Sequence, residues 1–496
     1  MHRLIAGLLT GTICLWPIHA HAQTVADVPT ATTSATGLES TSLTQSIPPK
    51  PDTPLQLKIQ NTRPLTLEEA INIVLERNPQ LSVSRLATAR SEAVVRQAEA
   101  ALWPTVGFTV SYAYVQSAQN QLTNALFAQS LVELQQTVTV PPATTAAASE
   151  VVGTIFPVNN VPLNGQVNLN WNVFSSGLIP SRISAAQRTL EASRLDSERV
   201  RQDVLSNTIN AYYDLQAADG NLEITASAVR ASEATVKDAE SQVRNGVATR
   251  FAVLQAEVQL ANARTQGLQA RSERLIRQRA LARLLNFAEP TEVTAADPIQ
   301  PRGTWQPDLE QSILQAYNQR HELTQQLALE QAARSQEEAA YASTGPQVNV
   351  FATGQALENL IDPVTGLYTG YNAGVQVQWN AFDGGASRAL ADQAIADANT
   401  ARARYIDVLN TIRFNVESSY TQLSITTERI DTATRALSAA EESLRLARRR
   451  FLRGVGAQTD VLGADRDLTQ AKVNRLTAII DYNRALTSLR RSLGIL

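Results

Sequence analysis

Phe451-Leu452-Arg453-Gly454-Val455-Gly456-Ala457-Gln458-Thr459-Asp460-Val461-Leu462-Gly463-Ala464 is a break between two helical patterns. Gly454 and Gly456 allow a sharp turn, and apolar residues at helical spacing run up to it and away from it. The stretch reads as the tip of a long helical hairpin. A degraded copy stands 208 positions earlier, at Val243-Arg244-Asn245-Gly246-Val247-Ala248-Thr249-Arg250-Phe251-Ala252-Val253-Leu254-Gln255-Ala256. Gly246 falls on Gly454, Leu254 on Leu462 and Ala256 on Ala464. Two such tips mark a duplicated chain.

Working back from the second tip, nothing breaks the helical pattern from about Ala386 to Arg453, which at 1.5 Å per residue is roughly 100 Å. Val416, Leu423, Ile430, Leu437, Leu444 and Phe451 recur every seven residues, beside a small-residue row of Ser419, Thr426, Ala433, Ala440 and Ala447. The first copy repeats this with Leu215, Leu222, Val229, Val236 and Val243 beside Ala211, Ala218, Thr225, Ser232 and Ala239. Beyond each tip a shorter helix returns, with Ala256, Ala263 and Ala270 in one copy and Ala464, Ala471, Ala478 and Ala485 in the other. Sustained heptads predict coiled-coil packing, and small residues in one row permit close helix approach. Heptads alone fit a structural coiled coil as well as a channel.

The strands separate those two. Val106, Phe108, Val110, Tyr112 and Tyr114 alternate with small or polar residues, and Val167, Leu169, Trp171 and Val173 alternate with Gln166, Asn168, Asn170 and Asn172. In the second copy Val348, Val350 and Ala352 alternate with Gln347 and Asn349, and Val375, Val377 and Trp379 with Gln376, Gln378 and Asn380. Phe351 is a large apolar residue on the wrong face. Generic alternation fits a half-buried sheet over a soluble core. Amide-rich polar faces, tryptophans at matching strand ends (Trp171, Trp379) and strands of about ten residues fit outer-membrane barrel strands around an aqueous lumen. The first hairpin loop is 34 residues longer than the second, an insertion expected in an exposed loop.

Before each hairpin, Leu67, Glu68, Ile71, Leu81 and Pro104 recur 242 positions later as Leu309, Glu310, Ile313, Leu323 and Pro346. Thr66 reads as a helix cap, with Glu68 and Glu69 in the first turn and Pro79 at a stop or kink. The chain therefore divides into an export signal at 1–22, a flexible Thr/Ser/Pro-rich extension at 23–62, a first repeat at 63–286, a Pro-rich linker at 287–304 and a second repeat at 305–496. The first repeat holds a β-hairpin at about 104–174 and a tip at 244–250; the second holds a β-hairpin at about 346–382 and a tip at 452–459.

Composition excludes several classes. The single cysteine, Cys14, lies in the expected signal between Ile13 and Leu15-Trp16, a setting that does not suit lipid attachment. His2, His19 and His21 leave with the signal, so only His321 remains, read as a helix-surface residue. No metal site, cofactor or thiol chemistry is expected, and no nucleophile and base assemble, so an enzyme is not expected. The net charge of -3 gives no footprint for nucleic acid. No run of 18 apolar residues follows the signal, which says nothing of β-strands.

Four strands cannot close a barrel, and an open edge in lipid leaves backbone groups unsatisfied, so the chain is expected to oligomerise. Two copies give eight strands, a barrel that side chains fill. Three give twelve and leave a lumen, which the amide faces favour.

From about Leu65 to Leu496 the chain resembles the TolC family of outer-membrane efflux and secretion channels. The resemblance rests on the two-fold repeat, the tips (above all Gly454 through Asp460-Val461-Leu462 to Ala464) and the junctions Trp171-Asn172-Val173-Phe174 and Trp379-Asn380-Ala381-Phe382. It implies a mixed α and transmembrane β protomer: long coiled-coil hairpins form an α-barrel through the periplasm, and four antiparallel strands contribute to a trimeric 12-stranded outer-membrane β-barrel. The 287–304 linker then lies at the equator of the α-barrel. The implied role is the exit duct of a tripartite efflux pump or type I secretion system, a homotrimer in outer-membrane lipid working with a periplasmic adaptor (membrane fusion protein) and an inner-membrane transporter. The alternative is a periplasmic coiled-coil scaffold or adaptor without a pore.

In such channels the tunnel closes where the tips converge. Asp460 matches a position that contributes to a carboxylate ring, with Phe451 and Leu462 as further gate candidates. Asp460 also suits a simpler role in the first turn of the return helix, complementing its dipole. The family's second acid falls at Gly463, its gate arginine and tyrosine fall at Gly456 and Phe451, and the first-copy match of Asp460 is Ala252. Asp465 and Asp467 are expected to face solvent, and Arg448, Arg449, Arg450 and Arg453 to complement a helix C-terminus. Asn245, Gly246, Val247, Arg453, Gly454, Val455 and Gly456 are the adaptor-docking candidates, and Trp171 and Trp379 the membrane-interface aromatics.

Overall fold

The computed structural model describes residues 61–137, 158–246, 248–287, 291–359 and 366–496. The expected export signal and the extension as far as residue 60 lie outside them, as does Val247 at the first tip. In chain order the elements are β1 (Asn61–Leu65), α1 (Leu67–Arg77), α2 (Pro79–Ala100), β2 (Thr105–Tyr112), β3 (Val115–Gln116), α3 (Ala118–Thr137), β4 (Asn159–Asn160) and β5 (Pro162–Phe174). They continue with α4 (Leu178–Arg244), α5 (Arg250–Leu285), β6 (Thr291–Ala295), α6 (Leu309–Gln319), α7 (His321–Ala342), β7 (Gln347–Asn359), β8 (Leu367–Gln378), α8 (Ala386–Leu452) and α9 (Gln458–Leu493).

The helices come in matched pairs: α1 and α6 have 11 residues, α2 and α7 have 22, α4 and α8 have 67, and α5 and α9 have 36. Local chemistry explains where they start. The Thr66 hydroxyl accepts from the Glu69 N–H at 3.3 Å while the Glu69 carboxylate accepts from the Thr66 N–H at 2.9 Å, a reciprocal cap on α1. Pro79 opens α2 at a position that needs no N–H, and the Asn78 side chain accepts from the Gln80 N–H at 2.9 Å.

Packing follows the heptads. On the sheet side α4 lies between α2 and α7, and on the tip side between α5 and α9; α8 packs on α7 and then on α9. Four helices thus stand side by side at each level, with α8 at one edge and α2 or α5 at the other. The alanine rows Ala256-Ala263-Ala270 and Ala464-Ala471-Ala478-Ala485 are buried, as are Val416, Leu423 and Leu444. Where α4 crosses α9, a Cβ on Gly220 would sit 2.8 Å from Leu476 Cδ1, so a side chain there must displace the Leu476 tip.

At the waist, the linker is less irregular than its prolines predict. Thr291–Ala295 forms β6 and pairs in parallel with β1, and Ala296 extends the pairing by donating to the Leu65 carbonyl at 2.9 Å. The extension expected through residue 62 therefore ends sooner, because Asn61 and Thr62 find a distant partner strand. Asp297 pins this joint. Its Oδ2 accepts from the Leu67 N–H at 2.8 Å, lies 2.9 Å from the buried Tyr212 hydroxyl and meets Arg302 at 2.6 Å. Burial pushes the Asp297 carboxyl up, and those donors with the Arg302 charge more than offset it, leaving the pKa below its ordinary value.

The main sheet has the order β2-β5-β7-β8 with antiparallel neighbours throughout. Apolar residues face apolar residues across it: Val106 opposite Leu169, Phe108 opposite Val167, Val350 opposite Val375. Phe351 does sit on the amide face, opposite Asn170 and Gly374, and a Cβ at Gly374 would meet its ring at 3.0 Å. The longer first hairpin departs from a simple loop: β3 and β4 extend it, and α3 follows, capped by Ser117, whose hydroxyl accepts from the Asn120 N–H at 3.1 Å. No Pro or Gly interrupts Ala118–Thr137, so that part of the insertion can satisfy its backbone as a helix.

Candidate functional site

The outward face of the main sheet carries Val106, Phe108, Val110, Val167, Val375 and Val377, all exposed, with Phe108 72% and Val375 66% accessible. Among the described residues no helix covers it, so there is no soluble core beneath a half-buried sheet. A water-facing sheet would hide such a surface, whereas lipid is its matching solvent. The opposite face is an amide ladder. The Gln166 amide donates to Asn168 Oδ1 at 2.9 Å, Thr353 Oγ1 donates to the same oxygen at 3.1 Å, and the Asn172 amide donates to Gln347 Oε1 at 3.3 Å. Such a face solvates water and ions.

Exposed aromatic residues gather where strands meet helices. Trp171, in β5, donates its indole N–H to the Leu102 carbonyl at 2.9 Å, and Trp379 immediately follows β8. Trp103 and Phe382 join them, 72% and 85% exposed, though alternation within the strands did not select them. Their signal was positional: each lies beside a strand boundary. Amphipathic rings at that level suit a membrane–water interface.

At the opposite end, each long helix stops on a glycine in the left-handed region, Gly246 at φ 75° and Gly454 at φ 73°. The Arg453 and Val455 N–H groups return to the Arg449 and Arg450 carbonyls at 3.2 and 3.1 Å, closing the turn. Gly456 is cramped, for a Cβ there would meet Arg450 Cβ at 3.0 Å and its carbonyl carbon at 3.1 Å. An arginine at this position requires the backbone to move, which gives a physical reason for glycine here.

Asp460 is exposed in the first turn of α9, and among the described residues its carboxylate has no ion-pair partner. This geometry suits both dipole complementation and a charge presented to a pore. Leu462 is half-buried. Phe451, matched above to a gate position, is 9% exposed within the protomer and packs with Leu444, Val461 and Ala464 in a small core under the tip. The heptad that contains it continues to the last turn and turns its ring inward. Phe451→Ala is expected to cost about 3 kcal/mol locally, within the range for buried Phe truncation. Hydrogen exchange should show faster exchange in residues 444–468 with the sheet unchanged.

Asp465 also departs from expectation. It is buried between the hairpins, 3.8 Å from Arg448, while Asp467 is exposed as its spacing predicts. Burial pushes the Asp465 carboxyl above its ordinary range despite Arg448 and Lys472. It lines a polar cavity of about 560 Å³ with Ser232, Asn262, Gln266 and Gln470. Gln458, which sequence reasoning passed over, joins the two tips by donating to the Ala252 carbonyl at 3.0 Å. His321, half-buried, opens α7; among the described residues no cluster of potential metal ligands forms.

The Outer membrane efflux protein family model matches residues 70–286 and 313–495, both repeats. Protein CyaE of Bordetella pertussis is 24% identical over 310 residues, 62% of this chain and 65% of CyaE, so the match spans just under two thirds of that relative. Cobalt-zinc-cadmium resistance protein CzcC of Cupriavidus metallidurans is 25% identical over 333 residues, covering 66% of this chain and 76% of CzcC. The crystal structure of outer membrane protein VceC from Vibrio cholerae superposes with a TM-score of 0.67 at 20% identity, covering 86% of this chain and 96% of VceC; that likeness bears on the fold. The lipid-facing sheet, the amide ladder, the paired hairpins and the family match meet in one conclusion: the chain belongs to the outer membrane efflux protein family, as a TolC-type channel protein of the outer membrane with its helices in the periplasm.

Proposed function

We propose that three copies close into one exit duct, passive in itself, which serves a tripartite efflux pump or a type I secretion system. The observation behind this reading is that both layers of the protomer end on open edges. β2 and β8 are the outer strands of the main sheet, and α8 and α2 or α5 are the outer helices. With four strands per copy the alternation stays antiparallel across a β8-to-β2 joint, and twelve strands leave a lumen. Exposed Phe251, Val258 and Ile276 on α5, with Ile406, Phe414 and Ile425 on α8, supply apolar surface for the helical joint. Trp171 and Trp379 anchor the sheet at the periplasmic surface of the outer membrane.

In this reading the tips, with Asn245, Gly246, Val247, Arg453, Gly454, Val455 and Gly456, meet a periplasmic adaptor that links the duct to an inner-membrane transporter. A relative named for cobalt-zinc-cadmium resistance makes divalent cations one cargo to assay. Purified protein in planar bilayers is expected to conduct and to migrate as three copies by native mass spectrometry. A monomer without conductance overturns the reading and returns the pore-free scaffold. For the gate, Asp460→Asn is expected to reduce the cation preference measured by reversal potentials, because three carboxylates no longer face the constriction. Unchanged selectivity leaves Asp460 as a dipole partner only.

A further inference from the structure

α3 is nearly uncharged, although the simple loop expected in its place would stand in water. Glu133 is its one charged residue, and Leu122, Leu126, Phe127 and Val132 stand exposed around its circumference. Its other polar residues are uncharged amides and hydroxyls, and α3 is not long and apolar enough to cross a membrane. It emerges where β3 pairs with β4, at the end of the β2–β5 hairpin away from the long helices, hence at the outer mouth of the barrel. The lumen face of the sheet changes character at that same end. Below, it is mostly amides, with Phe351 the large apolar residue among them; at the mouth, Leu357 of β7 stands directly opposite Tyr368 of β8, and both are exposed.

We infer that α3 of one copy seats on the Leu357–Tyr368 patch of its neighbour and acts as an outer lid over the barrel mouth. This rests on the trimer proposed above. Strand order selects the neighbour rather than the same chain. β8 and β2 are opposite edges of one sheet, so closure brings the Tyr368 strand of one copy beside the β2 strand that leads into the next copy's α3. Chemistry selects the seat: Leu357 and Tyr368 form an exposed pair at the mouth, whereas Phe351 lies deeper on the same face, and they match the exposed Leu122, Leu126 and Phe127 of α3. Three such contacts around the axis would narrow the mouth.

The full-length protein carrying Leu126→Cys and Tyr368→Cys, in a background whose only native cysteine is Cys14, tests this with a flexible bis-maleimide on intact cells. Intermolecular cross-links that need both substitutions are expected. In parallel, Leu122→Ser, Leu126→Ser and Phe127→Ser together should raise conductance severalfold without changing the trimer mass. Trimers that conduct but give no cross-link between these positions, or no conductance gain, overturn the lid while leaving the duct intact. Loss of the trimer itself in native mass spectrometry of the unsubstituted protein instead removes the reading on which the lid rests.

Discussion

Replacing Val167 with arginine is expected to destabilise the membrane sheet by about 2–4 kcal/mol, the cost of a cationic side chain near the bilayer midplane of a β-barrel. Val167 lies midway along β5, a central strand, opposite Phe108 and Gly354 on the outward face. Its burial in lipid offers the guanidinium neither water nor a counter-charge. Thr109→Arg makes the complementary case: Thr109 is opposite Gln166, on the amide face of the adjoining strand, where water solvates the charge. That variant should fold normally and shift selectivity toward anions. Urea titrations of folding into phospholipid vesicles read the first effect, and reversal potentials the second. Equal folding losses in both variants would mean that the two faces do not see different solvents.

The second large effect lies at the waist. Glu322, at the start of α7, is held by Arg320 through two bonds of 2.7 and 3.1 Å and by Arg491 at 3.2 Å. Arg491 also reaches Asp203 at 2.7 Å on α4, so one cluster ties α4, α7 and α9 together. Glu322, Arg320 and Arg491 side chains are only 10–15% exposed. Glu322→Leu strands Arg320 without its carboxylate, and removing one partner of a buried pair costs roughly 3–5 kcal/mol. Pairing it with Arg320→Met should recover much of that loss, since no buried charge is then left alone.

The same cluster sets an acid limb. Burial alone would raise the Glu322 pKa, but the Arg320 hydrogen bonds and charge, with Arg491 adding to them, bring it down from 4.5 to about 2. The folded protein therefore holds this carboxylate ionised where the unfolded chain would take up a proton. Its stabilisation is complete above 4.5 and is lost as the pH falls from there through about 2. Unfolding curves followed by circular dichroism across that window should flatten in Glu322→Leu. An unaltered acid dependence would assign the limb to other carboxylates.

Much of this architecture was legible because it is periodic. The heptads, the alanine rows and the alternating strands each repeat a local rule, which makes Phe351 stand out as the break in one, and the two copies check one another. The Thr66 cap was legible for the same reason: its partner Glu69 is three residues away. What escaped was set by distant contacts. β1 and β6 are five-residue strands that pair across more than 200 positions, and neither alone exceeds the noise of a Pro-rich stretch. Phe451 matches a gate position and Asp465 has the spacing of a solvent-facing residue, yet which side of a tip each faces depends on how α8 and α9 roll against α4 and α5. Gln458 has no motif at all, because its partner is a backbone carbonyl.

The duct itself is tested most directly at the joint between copies. Val106→Cys, at the inner end of β2, and Val377→Cys, at the inner end of β8, are combined in the Cys14 background and treated with a short bis-maleimide in the membrane. Closure of three copies predicts a cross-linked ladder on denaturing gels that ends at the trimer, in channels that still conduct. A chain that stays monomeric, or a ladder that runs on past three, would contradict it.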